Sequence, residues 1–202
     1  MEDCGYQFKD EYIPLYSAVN LAMWKELERG EITKPFLIAN RFKSFFNRAG
    51  IKEDAEPMGS QYMKRLSEQS FLLPGSKEML ETLHATGKYR MFLITNGIKS
   101  TQTARINGTG IKQLFEGIFI SEEMGYEKPD VRYFNAVEER IPDFDRKSAL
   151  VIGDSLTSDI LGGNNARIDT VWFNAKQGVN TTPAKPTYEI RGWEELYKIL
   201  EK

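Results

Sequence analysis

The chain has 202 residues, enough for one sizeable domain or for a core domain with a small accessory one. It carries 27 basic and 29 acidic residues, and this near balance argues against nucleic acid or a membrane surface as a partner. The single cysteine, Cys4, cannot form an internal disulfide, which fits a reducing compartment. No apolar run approaches the ~20 residues of a membrane span, and the first residues lack the pattern of a signal peptide. We therefore expect a cytoplasmic protein.

Residues 1–70 are predicted to form a mostly helical module. Apolar residues recur at helical spacing over 16–27 and 32–49, and a third, shorter helix is predicted over 56–70. Several aromatic side chains lie on these helices, and packing between helices explains them more simply than ligand binding does. The aromatic residues considered for substrate contact are Trp24, Phe42 and Tyr62.

Residues 71–202 show short apolar strands that alternate with helices. The predicted strands are 89–94, 117–120, 149–152 and 170–173. The predicted helices are 76–85, 101–107, 132–140, 159–165 and 193–200. This alternation indicates an α/β fold with a Rossmann-like parallel sheet flanked by helices. In such sheets ligands bind beyond the carboxyl ends of the strands, so residues that follow each strand are the candidates for function.

Two of these strand ends carry groups suited to phosphate. Thr95, Asn96 and Gly97 follow the first strand, where a hydroxyl and free backbone N–H groups could bind a phosphate oxygen. Lys128 follows the second strand and could offset the charge of a phosphate. Taken singly, each signal is weak, because Asn-Gly is a common turn and most lysines are simply solvated.

A pair of acidic residues follows the third strand. Asp154 stands at the strand end, and Asp159 lies about one helical turn further on. Two carboxylates beside an anionic substrate would repel one another unless a hard cation such as Mg²⁺ lay between them. Helix capping would account for one acidic residue but not for the pair.

Together these segments resemble the haloacid-dehalogenase-like superfamily. Leu93–Gly97 is similar to its second motif, Glu127-Lys128-Pro129 to its third, and Gly153-Asp154-Ser155 with Asp159 to its fourth. The helical module resembles the family's small cap. Further segments resemble the bacterial 5′-nucleotidases that act on pyrimidine monophosphates: Arg41-Phe42, Ser121-Glu122, 139–142 and 186–190.

The resemblance implies a role for each residue at the strand ends. Thr95, with Asn96 and Gly97, would bind the transferring phosphoryl group, and Lys128 would stabilise it. Asp154 would ligate Mg²⁺, while Asp159 would support the metal site or the lysine. The implied activity is Mg²⁺-dependent hydrolysis of a small phosphate monoester, such as a nucleoside 5′-monophosphate. The acidic pair favours phosphoryl transfer over halide displacement, which needs no metal.

The family's first motif, Asp-x-Asp-x-Thr/Val, is expected to be absent from this chain. Its first Asp is the nucleophile that forms an aspartyl-phosphate, and its second is the general acid and base. The only Asp-x-Asp is Asp143-Phe144-Asp145, which precedes a strand and is predicted to be a solvated loop. The resemblance places the missing strand between 89–94 and 149–152. The two strands could close up, the segment could be supplied in another way, or the native protein could be longer.

The chain as given is therefore expected to have little phosphatase activity. One alternative is a catalytically inactive binding protein that keeps the phosphate and metal ligands. Another is a receiver-type signalling domain, which also places Asp, Thr and Lys at strand ends but has no cap and no late Gly-Asp…Asp segment. The sequence leaves the physiological substrate and the oligomeric state open.

Overall fold

The computed structural model describes Met1 and residues 4–201, which group into two compact units, one ending at Gln69 and the other beginning at Ser70. The first unit contains three helices: α1 (Tyr12–Glu28), α2 (Lys34–Ala49) and α3 (Glu56–Glu68). Helix α2 begins at Thr33, whose hydroxyl accepts the Phe36 N–H at 3.4 Å, and it ends at Gly50 in the left-handed conformation, φ 69°. The predicted helices of this region are thus present with slightly different ends.

Aromatic and aliphatic side chains from these helices form the core of the first unit. Phe42 is buried in this core, and Trp24 and Tyr62 are partly buried against it. The other buried members are Tyr12, Val19, Met23, Leu27, Leu37, Phe45, Phe46 and Ala55. Burial of this apolar surface is the main force that holds the three helices together.

The second unit contains five short strands and six helices among its described residues. The strands are β1 (Phe92–Thr95), β2 (Gly117–Ile120), β3 (Leu150–Gly153), β4 (Asp169–Phe173) and β5 (Tyr188–Ile190). The helices are α4 (Ser76–Ala85), α5 (Lys99–Thr109), α6 (Ser121–Met124), α7 (Val131–Glu138), α8 (Leu161–Ala166) and α9 (Glu194–Leu200). Two of these elements, α6 and β5, were not predicted, because segments of four and three residues are too short to show a periodic pattern.

All strand pairs are parallel, but the described strands form two sheets rather than the single sheet that was expected. One sheet pairs β1 with β2, with Phe92 opposite Gly117, and the other has the order β3–β4–β5. Within the described residues no backbone pairing joins β1 to β3. The side chains of Phe92 and Ile94 nevertheless pack into the same apolar cluster as Val151 of β3, so the two strands are neighbours that remain unpaired.

The burial of β1 and β3 is consistent with this separation. Every residue of β1 is only half-buried, and Ile152 in β3 leaves 38% of its surface exposed. Isoleucine in the interior of a parallel sheet is normally covered on both faces. In the described residues β1 and β3 have therefore not closed up onto each other, which was one of the outcomes considered from the sequence.

Two helix starts differ from prediction, one because of a local hydrogen bond and the other because of a contact with a distant segment. The helix predicted over 159–165 begins earlier, as a π-helical turn over Leu156–Ile160, because the Ser155 hydroxyl accepts the Ser158 N–H at 3.1 Å. Helix α5 starts with the Lys99 N–H donating to Glu122 Oε2 at 2.9 Å, from the loop after β2. None of the described helices is long and apolar enough to cross a membrane.

Candidate active site

The end of β1 presents a hydroxyl group that is oriented by two donors. Oγ1 of Thr95 accepts the backbone N–H of Gly97 and the Nε2 amide of Gln102, both at 3.0 Å. Because a hydroxyl has two acceptor lone pairs and one proton, these contacts leave the proton of Thr95 to donate to a ligand. Gln102 was not singled out from the sequence, since nothing in its position on α5 signals a contact with the preceding strand.

Gly97 allows this close approach. A Cβ atom at this position would collide with the side chain of Gln102, so a larger residue would push the amide away from Thr95. The glycine thus has a packing reason beyond the turn that the sequence indicated.

Asn96 holds the backbone of Lys128 beside the end of β1. Its Nδ2 donates to the Lys128 carbonyl at 2.7 Å, and its Oδ1 accepts the Lys128 N–H at 2.8 Å. Two opposed hydrogen bonds fix both the position and the orientation of one peptide segment. The sequence suggested Asn96 as a phosphate ligand; in the structure its amide is occupied in placing the lysine.

The ammonium group of Lys128 is buried and ion-paired. Only 5% of the residue is exposed, and Nζ donates to Asp159 Oδ1 at 2.6 Å and to the Ile94 carbonyl at 3.3 Å. An ammonium has three N–H groups, so one remains for a further acceptor. Lys128 therefore links the end of β1 to the segment that follows β3.

Asp159 is held on both of its oxygens. Oδ1 accepts from Lys128, and Oδ2 accepts the backbone N–H of Ser155 at 3.1 Å. A Cβ atom at Gly153 would collide with the Asp159 carboxylate, so the glycine at the end of β3 allows the carboxylate to lie there. Buried carboxylates of this kind are stable only when their oxygens are satisfied in this way.

Asp154 has a different environment from Asp159. It is exposed, and its carboxylate makes no hydrogen bond to the part of the chain that the structure describes. Its backbone carbonyl accepts Nε1 of Trp172 at 3.1 Å, which fixes the chain at the point where β3 ends. The side chain is therefore positioned and unoccupied by protein contacts.

The side chains at the strand ends offer few free oxygen ligands for a magnesium ion. Within the described ranges no group of three or more His, Cys, Asp or Glu side chains surrounds a common point. Mg²⁺ is often held by one or two carboxylates, with water and substrate oxygens completing its shell. The free carboxylate of Asp154 meets that requirement, whereas both oxygens of Asp159 are already used. The sequence left two roles open for Asp159, support of the metal site or support of the lysine, and this arrangement favours support of the lysine.

A buried tyrosine lies next to these strands. The Tyr133 hydroxyl donates to the Phe119 carbonyl at 2.7 Å, and burial raises the pKa of this phenol above its ordinary value. The negative charge of Asp159 acts in the same direction. Tyr133 is therefore neutral at physiological pH and serves the packing of α7 on β2.

Hydrogen bonds join Asn96, Lys128 and Asp159 into one network, and Thr95 directly precedes Asn96 at the end of β1. Asp154 lies at the carboxyl end of β3, as Thr95 does at the end of β1. The Asp143-Phe144-Asp145 segment lies at the other end of β3, before the strand begins. There the Asp145 side chain accepts the Lys147 N–H at 3.1 Å and starts the 3₁₀ turn Arg146–Ser148.

Comparison with known proteins gives consistent results. A family model described as haloacid dehalogenase-like hydrolase matches residues 18–173. The chain is 37% identical over 195 residues to the pyrimidine 5′-nucleotidase PynA of Streptococcus pneumoniae, covering 96% of this chain and 80% of PynA. It is 32% identical over 200 residues to the pyrimidine 5′-nucleotidase YjjG of Escherichia coli, covering 99% of this chain and 87% of YjjG.

A solved structure agrees in fold over the whole chain. The HAD-hydrolase YfnB from Bacillus subtilis, in a crystal form bound to magnesium, superposes with a TM-score of 0.91 at 35% identity. The match covers 100% of this chain and 87% of YfnB. The strand-end network, the matched family model and these relatives together lead to one assignment: the chain belongs to the haloacid dehalogenase-like hydrolases, as a phosphohydrolase related to the 5′-nucleotidases.

Proposed function

We propose that this protein hydrolyses pyrimidine nucleoside 5′-monophosphates with the help of Mg²⁺. The observation that carries the proposal is the buried contact between Lys128 and Asp159, at 2.6 Å, next to the oriented hydroxyl of Thr95. This places one free ammonium N–H and one hydroxyl proton at adjoining strand ends, where they can bind two oxygens of a phosphoryl group. The names of PynA and YjjG supply the pyrimidine nucleotide as the substrate class.

In this proposal each residue at the strand ends has a separate task. Thr95 donates to one phosphoryl oxygen, and Lys128 donates to another and offsets its negative charge. Asp159 holds the lysine ammonium in position, while Asp154 would hold the magnesium ion, which neutralises charge on the phosphate when bound. Asn96 and Gln102 act on these groups rather than on the substrate.

The nucleophile is proposed to come from a further strand seated between β1 and β3. Both strands are unpaired on their facing sides within the described residues, and Ile152 is exposed in the middle of β3. A parallel strand placed there would end beside Thr95 and Lys128. A carboxylate at that end could attack phosphorus, release the nucleoside and form an aspartyl-phosphate, which water then hydrolyses.

The test compares two forms of the protein. Phosphate release from CMP and UMP is measured with Mg²⁺ for the 202-residue chain and for a version that carries an apolar strand with Asp-x-Asp-x-Thr ahead of Met1. We expect turnover only with the added strand, and loss of that turnover when its first Asp is changed to Asn. Equal turnover by both forms would mean that the nucleophile lies among the residues present.

A second candidate is an inactive protein that binds phosphate esters without hydrolysing them. It is favoured by Asp159, both of whose carboxylate oxygens are already hydrogen-bonded, so that of the acidic pair only Asp154 keeps a carboxylate without a hydrogen bond to the described residues. If the extended form also binds CMP but releases no phosphate, this second function is the correct one.

A further inference from the structure

A cavity of about 550 Å³ lies at the amino end of the β3–β4–β5 sheet, within the second unit. β4 begins there at Asp169, opposite Leu150 at the start of β3, whereas Asp154 follows the carboxyl end of β3. The polar residues that line the cavity are Asn164, Asn165, Arg167, Asp169, Lys185 and Thr187. A cavity of this size can hold a small organic molecule, and it lies at the other end of the sheet from the candidate active site.

The cavity is lined by two cations that are not neutralised by the protein. Arg167 and Lys185 are both exposed, and neither forms an ion pair with a carboxylate in the part of the chain that the structure describes. Asp169 lines the same cavity, but its Oδ1 accepts the Thr187 hydroxyl at 3.1 Å. Two positive charges and one negative charge leave the lining positive, so it attracts an anion.

The side chain of Arg167 is not required by the turn in which it lies. Arg167 ends α8 in the left-handed conformation, φ 57°, and its N–H donates to the Asn164 carbonyl at 3.0 Å. Glycine adopts this conformation without strain and is the usual residue at such a helix end, whereas most side chains are strained there. Since the turn needs only the backbone, the guanidinium is available to act in the cavity.

The backbone that carries Lys185 is fixed by opposed hydrogen bonds. Asn164 Nδ2 donates to the Lys185 carbonyl at 2.9 Å, and Asn164 Oδ1 accepts the Lys185 N–H at 2.7 Å. Further along this segment, the Thr187 N–H donates to Thr170 Oγ1 at 3.1 Å, and Thr187 Oγ1 accepts the Thr170 N–H at 3.0 Å. A ligand would therefore meet a segment that is already ordered, which favours binding.

The acceptors in the cavity suit a ligand that also carries hydroxyl groups. Oδ2 of Asp169 has no hydrogen bond to the described residues. An ionised carboxylate only accepts hydrogen bonds, so this oxygen can bind a hydroxyl group and repels a bare phosphate. Asn165 uses its Nδ2 to donate to the Pro129 carbonyl at 3.0 Å, which leaves its Oδ1 as a second acceptor.

We propose that this cavity binds a small phosphate monoester with neighbouring hydroxyl groups, the chemistry of a sugar phosphate. Arg167 and Lys185 donate to the phosphate oxygens, and the planar guanidinium can bind two of them at once. Asp169 and Asn165 accept from the hydroxyl groups. The proposal does not depend on the function proposed for the strand ends, because it uses none of the same residues.

The test is an NMR titration of the isotopically labelled full chain with ribose 5-phosphate. EDTA is present, so that Mg²⁺-dependent hydrolysis cannot consume the probe. We expect saturable shifts of the backbone amides of Asn164, Arg167 and Lys185. The affinity measured there should be about fivefold higher than that of inorganic phosphate, the effect of an additional hydrogen bond. The amides of Gly97 and Ser155 report separately on binding at the strand ends.

Arg167→Gly removes one cation without a risk to folding, because it relieves the strained conformation. We expect a urea midpoint at least as high as that of the parent chain and ribose 5-phosphate binding weakened by about tenfold. Lys185→Gln should weaken binding as well. The matched control is Lys198→Gln, which removes an exposed lysine on α9 that is not among the lining residues, and it should leave binding unchanged.

Asp169→Asn tests the part of the site that binds hydroxyl groups. Asparagine keeps an acceptor for the Thr187 hydroxyl, so the fold retains this contact. It should bring the affinities for ribose 5-phosphate and inorganic phosphate together, because the charged acceptor is lost and its repulsion of phosphate with it.

The proposal is overturned if ribose 5-phosphate shifts only the amides of Gly97 and Ser155. It is also overturned if Arg167→Gly binds as tightly as Lys198→Gln, or if the parent chain binds ribose 5-phosphate and inorganic phosphate equally well at the cavity amides. Shifts at the cavity amides that depend on Arg167 support the proposal whether or not Gly97 and Ser155 respond. Failure of the function proposed for the strand ends is therefore measured independently.

Discussion

Replacing Lys128 with methionine should strongly destabilise the unit that contains the strands. The ammonium and the Asp159 carboxylate are both largely buried, with side-chain exposures of 6% and 12%. Removing the cation leaves Oδ1 of Asp159 without its 2.6 Å donor and keeps a negative charge in a poorly hydrated position. Breaking such a pair typically costs about 3–5 kcal/mol. Because Ser155 still donates to Oδ2 and some solvent reaches the carboxylate, we expect about 3 kcal/mol.

The assay is urea unfolding followed by tryptophan fluorescence. A Trp24→Phe background removes the tryptophan of the first unit, so that Trp172 and Trp193 report on the second unit alone. Adding Asp159→Asn to Lys128→Met removes the buried charge that has lost its partner. This double variant should recover about half of the lost free energy of unfolding, since a neutral amide of the same shape is less unfavourable to bury than a carboxylate.

An exposed ion pair supplies the matched control. Arg132 and Asp130 also form a close contact, but the arginine side chain is 64% exposed. Arg132→Met should therefore leave the urea midpoint close to that of the parent protein, because solvent-exposed pairs contribute little. The reasoning is refuted if Lys128→Met lowers the free energy of unfolding by less than about 1 kcal/mol, or if the double variant is no more stable than the single one. The buried charge pair would then contribute little to stability.

Three further predictions concern groups near the site and the sheet. Thr95→Val should abolish phosphate binding, measured by calorimetry, and should lower the free energy of unfolding by about 1 kcal/mol, measured by urea unfolding, because the Gly97 N–H loses its acceptor. Thr95→Ser should preserve both phosphate binding and stability, since it keeps the hydroxyl. Gly97→Ala should weaken phosphate binding by displacing the Gln102 side chain, and the double variant with Gln102→Ala should recover the stability but not the binding. Gly163→Ala should lower the free energy of unfolding by about 2 kcal/mol, since the new methyl group collides with the fully buried Thr170; an unchanged urea midpoint would contradict this.

The sequence was sufficient to predict the alternation of strands and helices and the strand ends that carry polar residues. Periodicity and turn residues are local signals, so they located β2 and α4 at their observed bounds. The pattern of strands and helices did not by itself predict which strands pair, because pairing depends on contacts far apart in the chain; only the resemblance, which places a missing strand between 89–94 and 149–152, pointed to a gap at that position. The short strand β5 was missed for the same reason, since its three residues are stabilised by β4 rather than by a pattern of their own.

The candidate site was predicted in its residues but not in its connections. Thr95, Lys128 and Asp159 were all named from the sequence, because each residue type has an evident use beside a phosphate. Gln102 was not, since a glutamine on a helix gives no sign that its amide reaches back to a strand.

The pairing of Asn96 with the peptide of Lys128 has a consequence for the timing of binding. Through this pairing the asparagine side chain acts as a single rung of β-ladder, with one donor and one acceptor facing the backbone of Lys128. The segment is thereby ordered before any ligand arrives, so its loss of conformational entropy belongs to folding and does not weaken ligand binding. An aspartate at this position would have the same size but no donor, so the lysine would have to be immobilised anew by every substrate molecule. Ligand binding should then weaken, because part of the binding free energy would be used to order this segment.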